Sequence, residues 1–300
     1  MITLPWSEPP ATNNPRKRAG TYAERQLAFY LRRRFADDPR VCVLNGLRIE
    51  EPRLPTVNGQ PDRAQIDHLI LHRYGAFIVE SKSVSEEVWV RDDGTGGDEW
   101  WITYQGQAKG IQSPMQQAHR QAEFLRSYLK ANASGLLKRL PTLLRPIAKL
   151  LQNASGRRTF THMPIQVIVA ISDSGRIRRE GRWTEPNKPF RSFVCKADQV
   201  EHKVEMEIKR HAPAGQWVNS PFSNYGLWSM TQPEVAAVAG FLAERHSPSQ
   251  HVARVQVKTQ SCPRCQSPGA RLLSGKRGMS DYWRCDACGK NTPHETAKPA

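Results

Sequence analysis

The sequence holds no uninterrupted apolar run of the roughly 18 residues that a membrane-spanning helix needs, so no membrane partner is expected. Its first stretch, MITLPWSEPPATNNPRKR, lacks an apolar h-region, which argues against a secretory signal. Acidic residues are scarce beside basic ones: 28 Asp and Glu stand against 44 Lys and Arg, a net charge of +16 over 300 residues. Cysteine is sparse too, and four of the 6 fall in two CxxC pairs near the C-terminus. In a chain without a secretory signal, that spacing reads as metal binding in a reducing compartment and not as a disulfide framework. A cytoplasmic protein is expected, with Cys42 and Cys195 as buried thiols.

What is present is ordinary for a globular chain: 38% hydrophobic and 24% charged residues, enough length for one sizeable core and one small domain. The basic excess is spread along the chain. It points to a polyanion, nucleic acid before an anionic membrane surface, with plain solubility as the bland alternative.

Residues 1–18 are rich in Pro, Asn and charge and read as a flexible basic arm ending in Arg16-Lys17-Arg18. A helix is expected from Tyr22 to Phe35, with Thr21 and Glu24 in capping-box spacing and Leu27 and Leu31 on its apolar stripe. Val41 to Leu44 is a short strand candidate, Arg63 to Lys82 a β-hairpin, and Trp100 to Tyr104 a further strand. Ser113 caps a second helix from Pro114 to about Lys130. Over about 132–158 the leucines keep helical spacing but Pro141 and Pro146 interrupt it. That segment is either a basic insertion touching DNA or membrane, or two short helices packed on the domain. Ile165 to Ile171 reads as a strand buried on both faces, and Pro233 to His246 as a last helix. Together these elements predict an α/β domain with a mixed sheet, over 19–250.

The hairpin carries the chemistry. Alternation puts Ile78, Glu80 and Lys82 on one face of the second strand and Asp67, Leu69 and Leu71 on one face of the first. A four-residue loop of His72 to Gly75, or a two-residue Arg73-Tyr74 turn, sets Leu71 opposite Ala76, Leu69 opposite Ile78 and Asp67 opposite Glu80. An odd-length loop would move Asp67 to the other face, leaving a surface hairpin with a Glu–Lys pair. Opposed carboxylates about 5 Å apart destabilise a sheet, so a cation is called for, and Mg²⁺ (or Mn²⁺) suits oxygen ligands. Lys82, one step further, is placed to hold or polarise a water and offset transition-state charge. His68 and His72 face the other way and lie about 13 Å apart, so they cannot share a metal and read as structural or surface residues.

The order of Thr21-Tyr22-Ala23-Glu24, Ile66-Asp67-His68, Gly75-Ala-Phe-Ile-Val-Glu80-Ser-Lys82, the Trp100 strand and Ser113-Pro114-Met-Gln-Gln117 resembles the nuclease-related domain family. The resemblance covers about residues 19–130. It implies a restriction-endonuclease-like fold of the PD-(D/E)xK superfamily, with helices flanking a mixed sheet. It also implies an acidic residue at Glu24 beside the metal and a site glutamine at Gln117. Gln116, in contrast, is spaced to complete a capping box with Ser113.

Cys262-Pro-Arg-Cys265 and Cys285-Asp-Ala-Cys288, separated by 19 residues, can offer four thiolates tetrahedrally to Zn²⁺. No coordination position would stay open, so the zinc is expected to be structural, in a ribbon over 255–292 followed by a tail at 293–300. The segment resembles the C-terminal zinc ribbons of bacterial type I topoisomerases, although Gln266 stands where a knuckle glycine is common. Lys276, Arg277, Tyr282, Trp283 and Arg284 mix charge with rings in a way that suits single-stranded DNA. The alternative is that Tyr282 and Trp283 form the ribbon's mini-core. The expected function is a Mg²⁺-dependent deoxyribonuclease of repair, recombination or defence, acting on duplex or single-stranded DNA. The rivals are a non-catalytic nucleic-acid-binding module and a zinc-stabilised scaffold.

Overall fold

The computed structural model describes residues 1–51, 62–137, 159–214, 228–247, 259–261, 265, 268–273, 282–285, 287–289 and 291–293. The chain divides into two compact units, Met1–Pro248 and Ser249–Ala300.

A six-stranded mixed sheet organises the first unit. Its strands are β1 (Ile2–Leu4), β2 (Val41–Glu51), β3 (Asp62–His72), β4 (Gly75–Lys82), β8 (Ile165–Ile171) and β10 (Arg191–Lys196), side by side in that order. The β2–β3 and β3–β4 pairs are antiparallel, while β4–β8, β8–β10 and β1–β2 are parallel. A smaller sheet is built from β5 (Glu87–Asp92), β6 (Asp98–Tyr104) and β7 (Gln107–Ile111), with β9 (Arg176–Arg179) added parallel to β5. The mixed α/β architecture agrees with the class expected from sequence.

Helices cover both faces of the large sheet. On one, Leu27, Leu31 and Phe35 of α1 (Pro15–Phe35) and Val200 and Val204 of α3 (Val200–Ala214) pack on Val43, Ile70, Phe77 and Val79. On the other, Met115, Ala118, Ala122 and Leu125 of α2 (Pro114–Asn132) and Val235, Val238 and Leu242 of α4 (Gln232–Glu244) join Leu69, Leu71, Ile78 and Val167. β8 is buried at all seven positions because strands flank it and helices cover it.

Several expectations shift. The first helix begins at Pro15, not near Tyr22: Asn14 caps it, its Oδ1 accepting from the Arg16 and Lys17 amides, and Pro15 takes the first helical position. Arg16, Lys17 and Arg18 therefore lie in the helix and Thr21 is not its cap. The strand at Val41 runs to Glu51 because β3 pairs with it from Val41–His72 to Glu51–Asp62, with one gap at Gly46. Ser113 does cap α2, accepting from the Gln116 amide at 3.0 Å, but the Gln116 side chain donates to Asp98 instead of closing a capping box. Of the 132–158 segment, residues 138–158 lie outside the described residues. No described helix is long and apolar enough to cross a membrane.

The β3–β4 turn is the two-residue Arg73-Tyr74 form, with His72 opposite Gly75 and Leu69 opposite Ile78. Gly75 has φ +143°, and a Cβ there would lie 2.1 Å from the Pro164 carbonyl oxygen, which accepts from the Ala76 amide at 3.0 Å. Gly46 has φ +61° with open space around it. Gly46→Ala should therefore cost only its backbone strain, about 1–2 kcal/mol. Gly75→Ala adds an overpacking penalty of about 1–3 kcal/mol as β4 is pushed off Pro164. Denaturant melts of the two variants should rank Gly75→Ala as clearly the less stable.

Candidate active site

The β3–β4 ladder runs from His72–Gly75 to His68–Val79 and stops one step short of Asp67. The β2–β3 register likewise goes from Asn45–His68 to Leu47–Ile66, omitting Gly46 and Asp67. Asp67 thus sits where backbone pairing lapses on both sides, and its Oδ2 takes the Ser81 amide at 2.9 Å in place of a ladder bond. Its other oxygen accepts nothing from the described residues.

Glu80 is buried, 2% exposed, as is Asp67 at 8%. Each oxygen of Glu80 has a partner: Lys82 Nζ donates to Oε1 at 2.7 Å and Gln121 Nε2 to Oε2 at 3.0 Å. Lys82 Nζ also donates to Gln117 Oε1 at 3.2 Å, so α2 contributes two glutamines, one turn apart, to the floor of the site. Gln121 is held in turn by a 2.7 Å bond from Nε2 to the Gln65 carbonyl, while its buried Oε1 has no partner among the described residues.

Burial, and then the negative charges of Glu80 and Glu24, push the Asp67 carboxyl well above the usual aspartate range; the Ser81 amide and Lys82 oppose this. Glu24, half-buried on α1, is also raised, by burial first and by Glu80 second, with Arg48 and Lys82 opposing. Three carboxylates thus share one field with two cations. The surplus negative charge and the open oxygen of Asp67 suit a small divalent cation with oxygen ligands. Asp67, Glu80, Lys82, Glu24 and Gln117 are therefore brought together.

Gln121 escaped the sequence reading. Its signal was a polar residue lodged in the apolar stripe of α2, between Ala118 and Leu125. The two histidines point to the opposite core, as expected, but are buried and not on the surface. His68 Nδ1 bonds Asn45 Oδ1 at 2.8 Å, His72 stacks on Phe77, and burial lowers both to about 3, so both are neutral.

The second unit is a four-stranded antiparallel sheet, β11 (Thr259–Ser261), β12 (Pro268–Leu273), β13 (Tyr282–Cys285) and β14 (Asn291–Pro293). The sulfurs of Cys265, Cys285 and Cys288 lie within 4.8 Å of one another, and Cys265 Sγ is 3.6 Å from Cys285 Sγ. That is far beyond a disulfide bond of about 2.05 Å. It is close to the edge of about 3.8 Å expected between thiolates bound tetrahedrally at 2.3 Å. The three thiols could hold a metal; Cys262, Lys276 and Arg277 lie outside the described residues. Arg284 is exposed on β13, the strand that also carries Tyr282 and Trp283. In the first unit Cys42 and Cys195 are buried free thiols, and burial pushes Cys195 up to about 12.

Comparison with known families matches the chain to the nuclease-related domain over residues 19–172. No curated protein and no solved structure matches the chain.

A carboxyl whose folded pKa stands above its unfolded value binds its proton more tightly in the folded chain. Stability from such a group is greatest below its ordinary value, 3.8 for Asp67, and falls as pH rises through the folded value. Metal-free melting temperature should therefore decline with pH over that window, and less so for Asp67→Asn, which should melt higher than wild type at neutral pH. Mg²⁺ should raise the wild-type melting temperature and leave that of Asp67→Asn nearly unmoved.

Proposed function

Because the chain belongs to the nuclease-related domain family, we propose that it is a Mg²⁺-dependent deoxyribonuclease hydrolysing phosphodiester bonds in DNA repair, recombination or defence. The observation that carries this reading is the pair of buried carboxylates Asp67 and Glu80 in one electrostatic field, with half-buried Lys82 donating to Glu80 and the Ser81 amide to Asp67. A buried pair of like charges has no structural use that an apolar pair would not serve better.

In this reading Asp67 and Glu80 hold the cation, with Glu24 beside them. A cation held there would supply Lewis-acid charge for phosphodiester hydrolysis. Lys82 is aimed by Glu80 Oε1 and Gln117 Oε1, so its ammonium is positioned to polarise the attacking water and to meet charge growing on the phosphate oxygens. Gln121 fixes the Glu80 carboxylate from behind. The +16 charge draws the polyanion in.

For the second unit we propose one structural Zn²⁺ held by Cys262, Cys265, Cys285 and Cys288, in a cytoplasm reducing enough to keep the thiols available. Lys276, Arg277, Tyr282, Trp283 and Arg284 would then present a DNA-contacting surface.

Purified protein should cut linear, nicked or single-stranded DNA only with Mg²⁺ or Mn²⁺ present. Glu80→Gln and Lys82→Ala should each lower the rate by roughly 10²-fold or more while remaining folded at the assay temperature; Lys82→Ala, which strips Glu80 Oε1 of its donor, should melt below wild type. DNA binding without cutting under every metal condition would identify a non-catalytic binding module. Elemental analysis of protein kept reduced should find one zinc per chain, and Cys285→Ser should lose it while residues 1–248 stay folded.

A further inference from the structure

The outer side of the small sheet carries two tryptophans in direct register. Gly110, Trp101, Trp89 and Arg178 form one row across β7, β6, β5 and β9. Side-chain alternation fixes their direction: Val88, Val90 and Trp100 are buried in the core, so Trp89 and Trp101 face away from it, and both are half-exposed. Nothing on β7 covers them. Its residues on that side are Ala108 and Gly110, and a Cβ at Gly110 would come within 3.8 Å of the Trp101 ring. Trp89, Arg91, Trp101, Ala108 and Glu180 line an open cleft of about 260 Å³.

The polar groups around the rings are of both signs. Glu87 accepts from Trp89 Nε1 at 2.7 Å and fixes that ring, and it pairs with Arg178 at 3.4 Å. Arg91 pairs with Glu99 at 2.6 Å, and Arg176 stands exposed across from Glu87. Exposed ion pairs of this kind contribute little, so their donors and acceptors can exchange partners readily. A phosphate string alone would meet the carboxylates of Glu87, Glu99 and Glu180. A flat aromatic ligand whose edge carries both donors and acceptors suits the mixture better: guanidinium N–H groups meet ring nitrogens and carbonyls, and carboxylates meet exocyclic amines.

We propose that this face of the small sheet binds unpaired nucleobases, stacking them on Trp89 and Trp101, so that the unit Met1–Pro248 itself grips single-stranded nucleic acid. The identity of the ligand rests on the nuclease reading; the platform does not require turnover. Bases in an intact duplex are already stacked on each other and cannot use it.

The test uses full-length Glu80→Gln protein in metal-free buffer, so that binding is read without cutting, with a mixed-sequence oligonucleotide either single-stranded or annealed. Trp89→Ala and Trp101→Ala should each weaken single-strand binding by roughly tenfold and leave duplex binding unchanged, while Trp101→Phe restores most of the loss. Gly110→Leu, which keeps both rings but covers Trp101, should act like the alanine variants. A photoreactive halogenated uracil in the strand should cross-link to the peptides holding Trp89 or Trp101. Unchanged single-strand affinity in both alanine variants, an equal loss for duplex, or no measurable binding by the parent protein would each overturn the platform. Metal-dependent cutting is assayed separately on the Glu80 parent. Cutting with no effect of the tryptophan variants refutes the platform alone, whereas stacking without cutting refutes the nuclease reading alone.

Discussion

Two carboxylates buried in one field beside an apolar sheet face set the terms for everything around them. Asp67 and Glu80 lie next to Leu69 and Ile78, in a layer otherwise filled by aliphatic side chains of α2 and β8. Like charges so placed destabilise a sheet unless each oxygen finds a donor or a cation. The fold answers with the Ser81 amide, the Lys82 ammonium and the Gln121 amide, drawn from two elements. Helix α2 therefore does more than cover the sheet. Its glutamines close the polar group, and docking of the helix and assembly of the site are one event.

Much of this was legible because it depends on period and pairing. Alternation along β3 and β4 fixes which side chains share a face, and the residues of the turn fix the offset through Leu69–Ile78 and His68–Val79; Asp67 and Glu80 come into one field although the ladder lapses before they would pair. The cap at Ser113 and the buried apolar run at Ile165 were equally plain. What stayed hidden depends on long-range geometry. The lapse of the ladder at Asp67 goes with the positive φ of Gly46 on a neighbouring strand, and nothing local to Asp67 announces it. The start of α1 was masked by composition: Asn14-Pro15 is a helix-start signal, but it sits inside a Pro-rich, charged stretch that reads as an arm. Glu24 was named by the family resemblance; its entry into the field of Glu80, from a helix whose hydrophobic residues face the opposite core, is a placement that the assembled layers define. The small sheet was recognised at one strand of four, because its β9 partner comes from beyond Ile171.

The two units sort ions by chemistry. The first offers hard carboxylate oxygens in a partly apolar setting, suited to magnesium or manganese. The second offers soft sulfurs packed within 4.8 Å, suited to zinc and to other thiophilic ions. On the proposed assignment, one metal would serve structure and another chemistry without either site competing for the other's ion.

The parallel pairing of β4 with β8 has a consequence for synthesis. β4 ends at Lys82 and β8 begins at Ile165, so at about 5–20 residues per second the ribosome leaves β4 without that neighbour for several seconds. During that interval the hairpin offers Ala-Phe-Ile-Val, apolar on both sides, as an open template for any extended chain nearby. Inward-pointing charges are one of the devices by which natural edges resist such pairing. Glu80 and Lys82, at the far end of that same strand, impose a desolvation cost on any intruder that lacks their partners. On the proposed reading, substituting Glu80 or Lys82 would thus remove an inward charge from that open edge together with a candidate site residue.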